Sequence, residues 1–322
     1  MLHPTKAKFL FAVLSTLSLT ILIVLAEETC AATPKMPAKV VVTGAGGQTG
    51  QSLFRKLLTY PEEFEPLGFV RTQESKNALL QSGNIPESSV QVVDVTNPNA
   101  IKQAVQNFVG QDSSSSSSLA AFCICTSAKP KPTDKIDEET GRPVFGFPDG
   151  SPEEVDWLGQ KHQIDACPAG THVVLCSTMG GTDPESRLNV LGREVLPDGT
   201  VKGGNIVKWK RKAEVYLMEK SQTDGLTYTI VHPGGLSNEP GGEREIVVGV
   251  DDEKTGTDSR GIPREDVAEV MLQAVRYEEE FKNRSFDIRA KPKGEGTVTA
   301  DFKHLLQSLN GRDCDYSLGE TM

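Results

Sequence analysis

Four glycines follow Thr43 in the stretch Lys39 to Gln51, KVVVTGAGGQTGQ, and their spacing can hold a phosphate. Gly44, Gly46, Gly47 and Gly50 give the pattern T-G-x-x-G-x-x-G, one residue longer between the first two glycines than the common dinucleotide fingerprint. The β-branched run Val40-Val41-Val42-Thr43 before them reads as a buried parallel strand, and Leu53, Phe54, Leu57 and Leu58 after them mark an amphipathic helix. Strand, glycine turn and helix together aim backbone N–H groups and a helix N-terminus at a pyrophosphate. Gly44 permits the tight turn, Gly47 the approach of phosphate to backbone, and Gly50 the close packing of helix on strand.

The chemistry then depends on what stands at the ends of the following strands. Glu65–Val70 reads as the second strand, and Arg71 follows it. An acid there would take the ribose hydroxyls of NAD, whereas an arginine accepts the extra phosphate of NADP. Asp94-Val95 ends the third strand, where adenine is held, and Thr126-Ser127 ends the fourth, beside the nicotinamide ribose. Between Ser127 and Ser151 runs a long loop rich in proline, glycine and charge, at the sheet edge where such folds bind ligands. Further strands are expected at His172–Ser177, Thr227–His232 and Ser285–Ile288. Helices are expected over Glu153–Ala166, Asn205–Lys220, from Pro263 onward, and over Thr299–Leu309. This alternation predicts an α/β fold, a doubly wound parallel sheet of Rossmann type.

Bulk properties narrow the class. The 322 residues carry a net charge of −10, which argues against binding a nucleic-acid backbone. Lys6 and Lys8 precede the uncharged run Phe9 to Ala26, about 27 Å long as a helix. Two readings compete for it: a cleaved signal peptide, or an uncleaved anchor and the chain's one membrane contact. Either predicts entry into the secretory route, with residues 1–36 outside the folded domain. Six cysteines without paired spacing read as buried free thiols, which sits awkwardly with an oxidising lumen; the alternative address is a plastid reached through that route, as in some algae. The five histidines show no metal-ligand spacing, and no metal site is expected.

VVTGAGGQTG, VDWLGQKHQIDA, STMGGT at Ser177 to Thr182, VKWKRKAEVYL at Val207 to Leu217 and HPGGL at His232 to Leu236 together resemble the atypical short-chain dehydrogenase/reductases. The nearest resemblance is to plant and algal NADP-binding proteins with NmrA-like folds. It implies a Rossmann domain with a small C-terminal substrate lobe over residues 37–312, followed by a tail, 313–322. It further implies an NADP site formed by Gly44, Gly47, Gln48, Thr49, Gly50, Arg71, Asp94 and the loop after the sixth strand, Pro233, Gly234 and Gly235.

The wider superfamily reduces carbonyls with a serine, a tyrosine and a lysine, the tyrosine four residues before the lysine. On that resemblance Ser177 matches the serine, polarising the substrate, and Lys210 the lysine that holds the ribose. Four residues before Lys210 stands Ile206, and no tyrosine of this chain precedes a lysine by four. The resemblance therefore leaves two functions open. One is an NADPH-dependent oxidoreductase acting on a small or lipophilic carbonyl, imine or quinone. The other is a non-catalytic NADP-sensing binding protein.

Overall fold

Strand and helix alternate along the chain, and the apolar faces they present close on one sheet from both sides. The computed structural model describes residues 36–110, 118–136 and 141–319. The chain divides into a short leading unit, Met1–Pro37, and a body, Ala38–Met322. The run Phe9–Ala26, read from sequence as leader or anchor, lies outside the described residues, as does most of the serine run. Among the described residues no helix is long and apolar enough to cross a membrane.

The body opens with β1 (Ala38–Thr43), α1 (Gln48–Leu58), β2 (Phe64–Val70), α2 (Gln73–Gln81), β3 (Val90–Val92), α3 (Pro98–Val109) and β4 (Leu119–Ile124). A hairpin, β5 (Lys131–Ile136) and β6 (Pro143–Gly146), then precedes a π-helical turn, Glu153–Gly159, which runs into α4 (Gln160–Asp165) and β7 (His172–Cys176). Short elements follow: α5 (Arg187–Val190), β8 (Glu194–Val195) and β9 (Val201–Lys202). The long helix α6 (Ile206–Asp224) leads to β10 (Thr227–Pro233), β11 (Gly235–Ser237), β12 (Ile246–Gly249) and β13 (Gly261–Pro263). The last elements are α7 (Arg264–Arg276), α8 (Glu278–Phe281) and β14 (Arg284–Ala290).

Eight strands form the main sheet in the order β12-β14-β10-β7-β4-β1-β2-β3. All pairs are parallel except β12 with β14. Chain order reverses between β1 and β4, so the C-terminal ends of these two strands form the crevice where such sheets take ligands. Val40, Val41 and Val42 are fully buried, as strands covered on both faces require. One face packs Leu53, Phe54 and Leu57 of α1 against the sheet together with Val267, Met271 and Leu272 of α7. The other packs Ile101 and Val105 of α3, Ile164 of α4 and Leu217 of α6.

Three expectations change. No helix spans 299–309; a single 3₁₀ turn, Gln307–Leu309, stands there. Thr299 instead serves the edge strand, its Oγ1 accepting from the Ile246 amide at 2.8 Å, and Asp301 binds His304 locally, so these groups compete with a helical ladder. The loop after β4 is partly ordered as the β5–β6 hairpin. Residues 313–319 are no loose tail: Cys314 is buried, and Arg284 pairs with Asp313 at 2.8 Å.

Burial of His172 pushes its pKa down to about 4, and the hydroxyls of Thr227 and Thr229 sit on its two ring nitrogens at 2.8 and 3.0 Å. The folded pKa lies below the unfolded value of about 6.5, so stability is full above that pH and falls as pH drops toward 4. The difference amounts to roughly 3 kcal/mol at the acid end. Urea midpoints measured between pH 7 and 4 should fall more shallowly for His172→Gln than for the parent; equal slopes would exclude His172 as the titrating group.

Candidate functional site

Backbone geometry at the first crossover leaves an anion-binding helix terminus open. Gly44 has φ +66°, and a Cβ there would lie 2.7 Å from the Cys125 carbonyl oxygen. A Cβ on Gly50 would collide with the Gly44 carbonyl, so both positions admit glycine alone. The Gly47 amide closes the turn onto Gly44 O at 2.7 Å, and α1 begins at Gln48. Helices α2 and α3 are capped by the side chains of Thr72 and Asn97. α1 has no side-chain cap and no acid in its first turn, and the amides of Gln48, Thr49 and Gly50 have no acceptor among the described residues. A diphosphate fits this terminus in charge and in donors.

Thr43 does not face this turn. Its side chain is fully buried, and its hydroxyl donates to Gln163 Oε1 at 2.6 Å, so it anchors α4 to the sheet. Gly46 and Gln48 are exposed at the mouth. Arg71 projects from the end of β2, where its guanidinium is bound to the Asp149 carbonyl and lies 3.7 Å from the Asp149 carboxylate. Lys131 pairs with the same carboxylate at 2.6 Å. Those cations hold the Asp149 carboxyl below its usual pKa, the Lys131 hydrogen bond contributing most. The segment after β4 is thereby tied across the cofactor edge at the residue expected to select the phosphate.

Asp94 is exposed and caps its own turn, accepting from the amide and hydroxyl of Thr96 at 2.9 and 2.7 Å. The Val95 side chain is buried in the core, leaving its backbone as the part that can meet adenine. The glycines after β10 are engaged internally. Gly234 N donates to Ile288 O at 2.9 Å and Gly235 N to Arg260 O at 2.7 Å, while Pro233 O accepts from Met179. The amides of Gly234 and Gly235 are therefore already engaged within the protein, so a cofactor would meet this loop through other groups.

At the ends of β4 and β7 polar groups converge. The Thr126 hydroxyl accepts from Gln163 Nε2 at 3.1 Å, which leaves its own O–H to donate outward, and Ser127 beside it is part-buried. Lys210, on α6, lies buried with Nζ 2.8 Å from Asp156 of the π-helical turn. The other Asp156 oxygen accepts from the Ala128 amide at 3.0 Å, joining the turn to the β4 end. Burial disfavours the Lys210 ammonium, but Asp156, with Cys176 and Glu214, outweighs that and holds its pKa above the usual value. Asp156 occupies one of three ammonium donors; the others can serve a ribose.

The Ser177 hydroxyl donates to Glu214, whose other oxygen lies 3.0 Å from His232 Nε2. Burial raises the Glu214 carboxyl, yet His232, Ser177 and Arg211 reverse the shift and keep it a carboxylate, an acceptor only. With its proton donated inward, Ser177 is tied to Glu214. No tyrosine replaces the missing acid. Tyr216 donates to Asp165, and Tyr316 is part-buried with the Arg211 guanidinium 4.5 Å over its ring.

Sequence reasoning missed Asp156, Gln160, Gln163 and Glu214, and with them the group His232, Asp287 and Cys314. Asp156, Gln160 and Gln163 share the stretch VDWLGQKHQIDA, where polar residues interrupt an otherwise amphipathic helix; that interruption was the available signal. Glu214 stands four residues after Lys210, on the same helical face.

Comparison with known proteins agrees with this geometry. A family model described as NAD(P)H-binding matches residues 44–278. An uncharacterized chloroplastic protein of Arabidopsis thaliana is 42% identical over 283 residues, 87% of this chain and 78% of its own. Sanguinarine reductase of Eschscholzia californica is 38% identical over 291 residues, 84% of this chain and 95% of that one. A solved structure described as an NAD-dependent epimerase/dehydratase from Bacillus halodurans superposes with a TM-score of 0.54 at 21% identity, over 84% of this chain and 99% of its own. That last likeness is one of fold.

The buried pair carries a stability consequence. Asp156→Asn leaves the Lys210 ammonium buried without its counter-charge and should cost about 3–5 kcal/mol. The double variant Asp156→Leu/Lys210→Met removes both charges and should recover most of that loss in urea unfolding. A single variant as stable as the parent would show that the pair is solvated.

Proposed function

The chain belongs to the NAD(P)H-binding family, and from that premise we propose that it is an NADPH-dependent reductase of a small or lipophilic carbonyl, imine or quinone. One observation carries the reading: α1 begins without cap or acid, with three amides unpaired among the described residues, and a guanidinium follows β2, the next strand. Gln48, Thr49 and Gly50 would hold the diphosphate, Arg71 the adenosine phosphate, and Thr126 with Lys210 the nicotinamide ribose. When bound, the reduced cofactor supplies hydride.

The chain's own residues do the remaining work. Asp156 keeps Lys210 charged and fixed at the sheet edge, and Gln163 orients the Thr126 hydroxyl so that its proton points outward. The segment after β4 is fastened to the end of β2 through Asp149, which meets both Arg71 and Lys131. Sanguinarine reductase, 38% identical over nearly its whole length, supports a reductase. The chloroplastic name of the Arabidopsis relative supports a plastid address.

A second reading has its own observation. Ser177 and Lys210 are both held in internal bonds, and no tyrosine precedes Lys210 by four residues, which suits a protein that binds NADP and reports its redox state.

Calorimetric titration should show NADPH binding more tightly than NADH. Arg71→Ala should lose about 10–100-fold in NADPH affinity and leave NADH unchanged, the worth of hydrogen bonds to a charged phosphate. Equal affinities in the parent would remove the NADP assignment. NADPH oxidation over panels of carbonyls, iminium ions and quinones separates the readings, and silence across the panels with intact binding favours the sensor.

A further inference from the structure

Three side chains of different chemistry, brought from β10, β14 and the C-terminal segment, point at one spot. His232 Nδ1, Asp287 Oδ1 and Cys314 Sγ all lie within 4.8 Å of one another, and all three residues are buried. The nitrogen–oxygen separation is 3.5 Å, sulfur–nitrogen 3.5 Å and sulfur–oxygen 3.7 Å. Zinc bound tetrahedrally at about 2.0 Å to nitrogen and oxygen and about 2.3 Å to sulfur would set these edges at about 3.3–3.6 Å. The three atoms thus already form one face of a zinc tetrahedron.

We propose that His232, Asp287 and Cys314 bind a zinc-type divalent cation whose fourth position opens on the small hollow lined by Thr178, Thr182 and Asp251. Each ligand is held in place from behind. Glu214 grips the other ring nitrogen of His232 at 3.0 Å, the carboxylate–histidine arrangement that fixes the ring for a metal. Asp287 Oδ2 accepts from the Asp252 amide at 2.7 Å, which leaves Oδ1 turned to the site. The Cys314 amide is anchored on Ser285, at 3.1 Å to its carbonyl oxygen and 3.2 Å to its hydroxyl.

Charge also matches. A divalent cation would be met by one carboxylate and one thiolate, whose two negative charges balance its own. Bound there, the cation fastens the C-terminal segment to β10 and β14.

Cobalt(II) added to the metal-stripped full chain is the probe. One equivalent should produce a near-ultraviolet thiolate-to-cobalt band with intense tetrahedral bands in the visible, all bleached by zinc. Cys314→Ser should lose the thiolate band. Asp287→Asn should bind cobalt at least tenfold more weakly, and it decides the matter if the serine variant does not fold. Glu214→Gln should cost about 10–100-fold in cobalt affinity through the ring it orients. A parent protein without the thiolate band, or the same band in Cys314→Ser, overturns the site. Nucleotide titration reads the α1 terminus separately, so failure here leaves the reductase reading intact.

Discussion

Where α1 leaves β1, two stretches of backbone meet with no side chain between them, and the rest of the site takes its position from that contact. Gly50 rests on the Gly44 carbonyl, and Gly44 in turn abuts the Cys125 carbonyl at the end of β4. The helix axis is therefore set by backbone collision rather than by adjustable side chains. Its amides point into the crevice between β1 and β4, at the reversal of strand order. Leu53, Phe54 and Leu57, fully buried beneath, hold the helix down on the sheet.

Around this rigid terminus the protein keeps charges inside, and two of them are held by named polar partners. Lys210 has Asp156, and Glu214 has both Ser177 and His232. Isolated, any of these would be expelled or neutralised; paired, they lock elements distant in sequence. The Lys210–Asp156 pair clips α6 to the π-helical turn, and the Asp156 contact with Ala128 ties that turn to β4. A π-helical turn widens the helix by a residue per turn, and here it carries the carboxylate that meets the lysine.

The outer parts are fastened in the same manner but more loosely. Asp149 gathers Arg71 and Lys131 at the surface, where solvent weakens each attraction, so this fastening can yield to a phosphate that offers Arg71 a stronger partner. The C-terminal segment is held more firmly, by Cys314 in the interior and by the Arg211 guanidinium donating to the carbonyls of Asp315 and Leu318.

The amino-acid sequence by itself determined the sheet, the glycine turn and the guanidinium after β2, because these rest on local periodicity and on residues adjacent in the chain; the family came from the resemblance of its motifs. Val40 to Val42 announce a strand covered on both faces, and the glycine spacing announces the turn. It also placed Ser177 and Lys210 at the correct strand end and helix, though not what they touch. Only the tertiary structure decided that Ser177 serves Glu214, that Lys210 serves Asp156, and that Thr43 faces the core. It alone joined His232, Asp287 and Cys314, which are separated by 55 and 27 positions in the chain. Hydrogen bonds and ion pairs between strand ends follow from strand order and register, and no pattern along a single chain encodes which side chains those crossovers bring face to face.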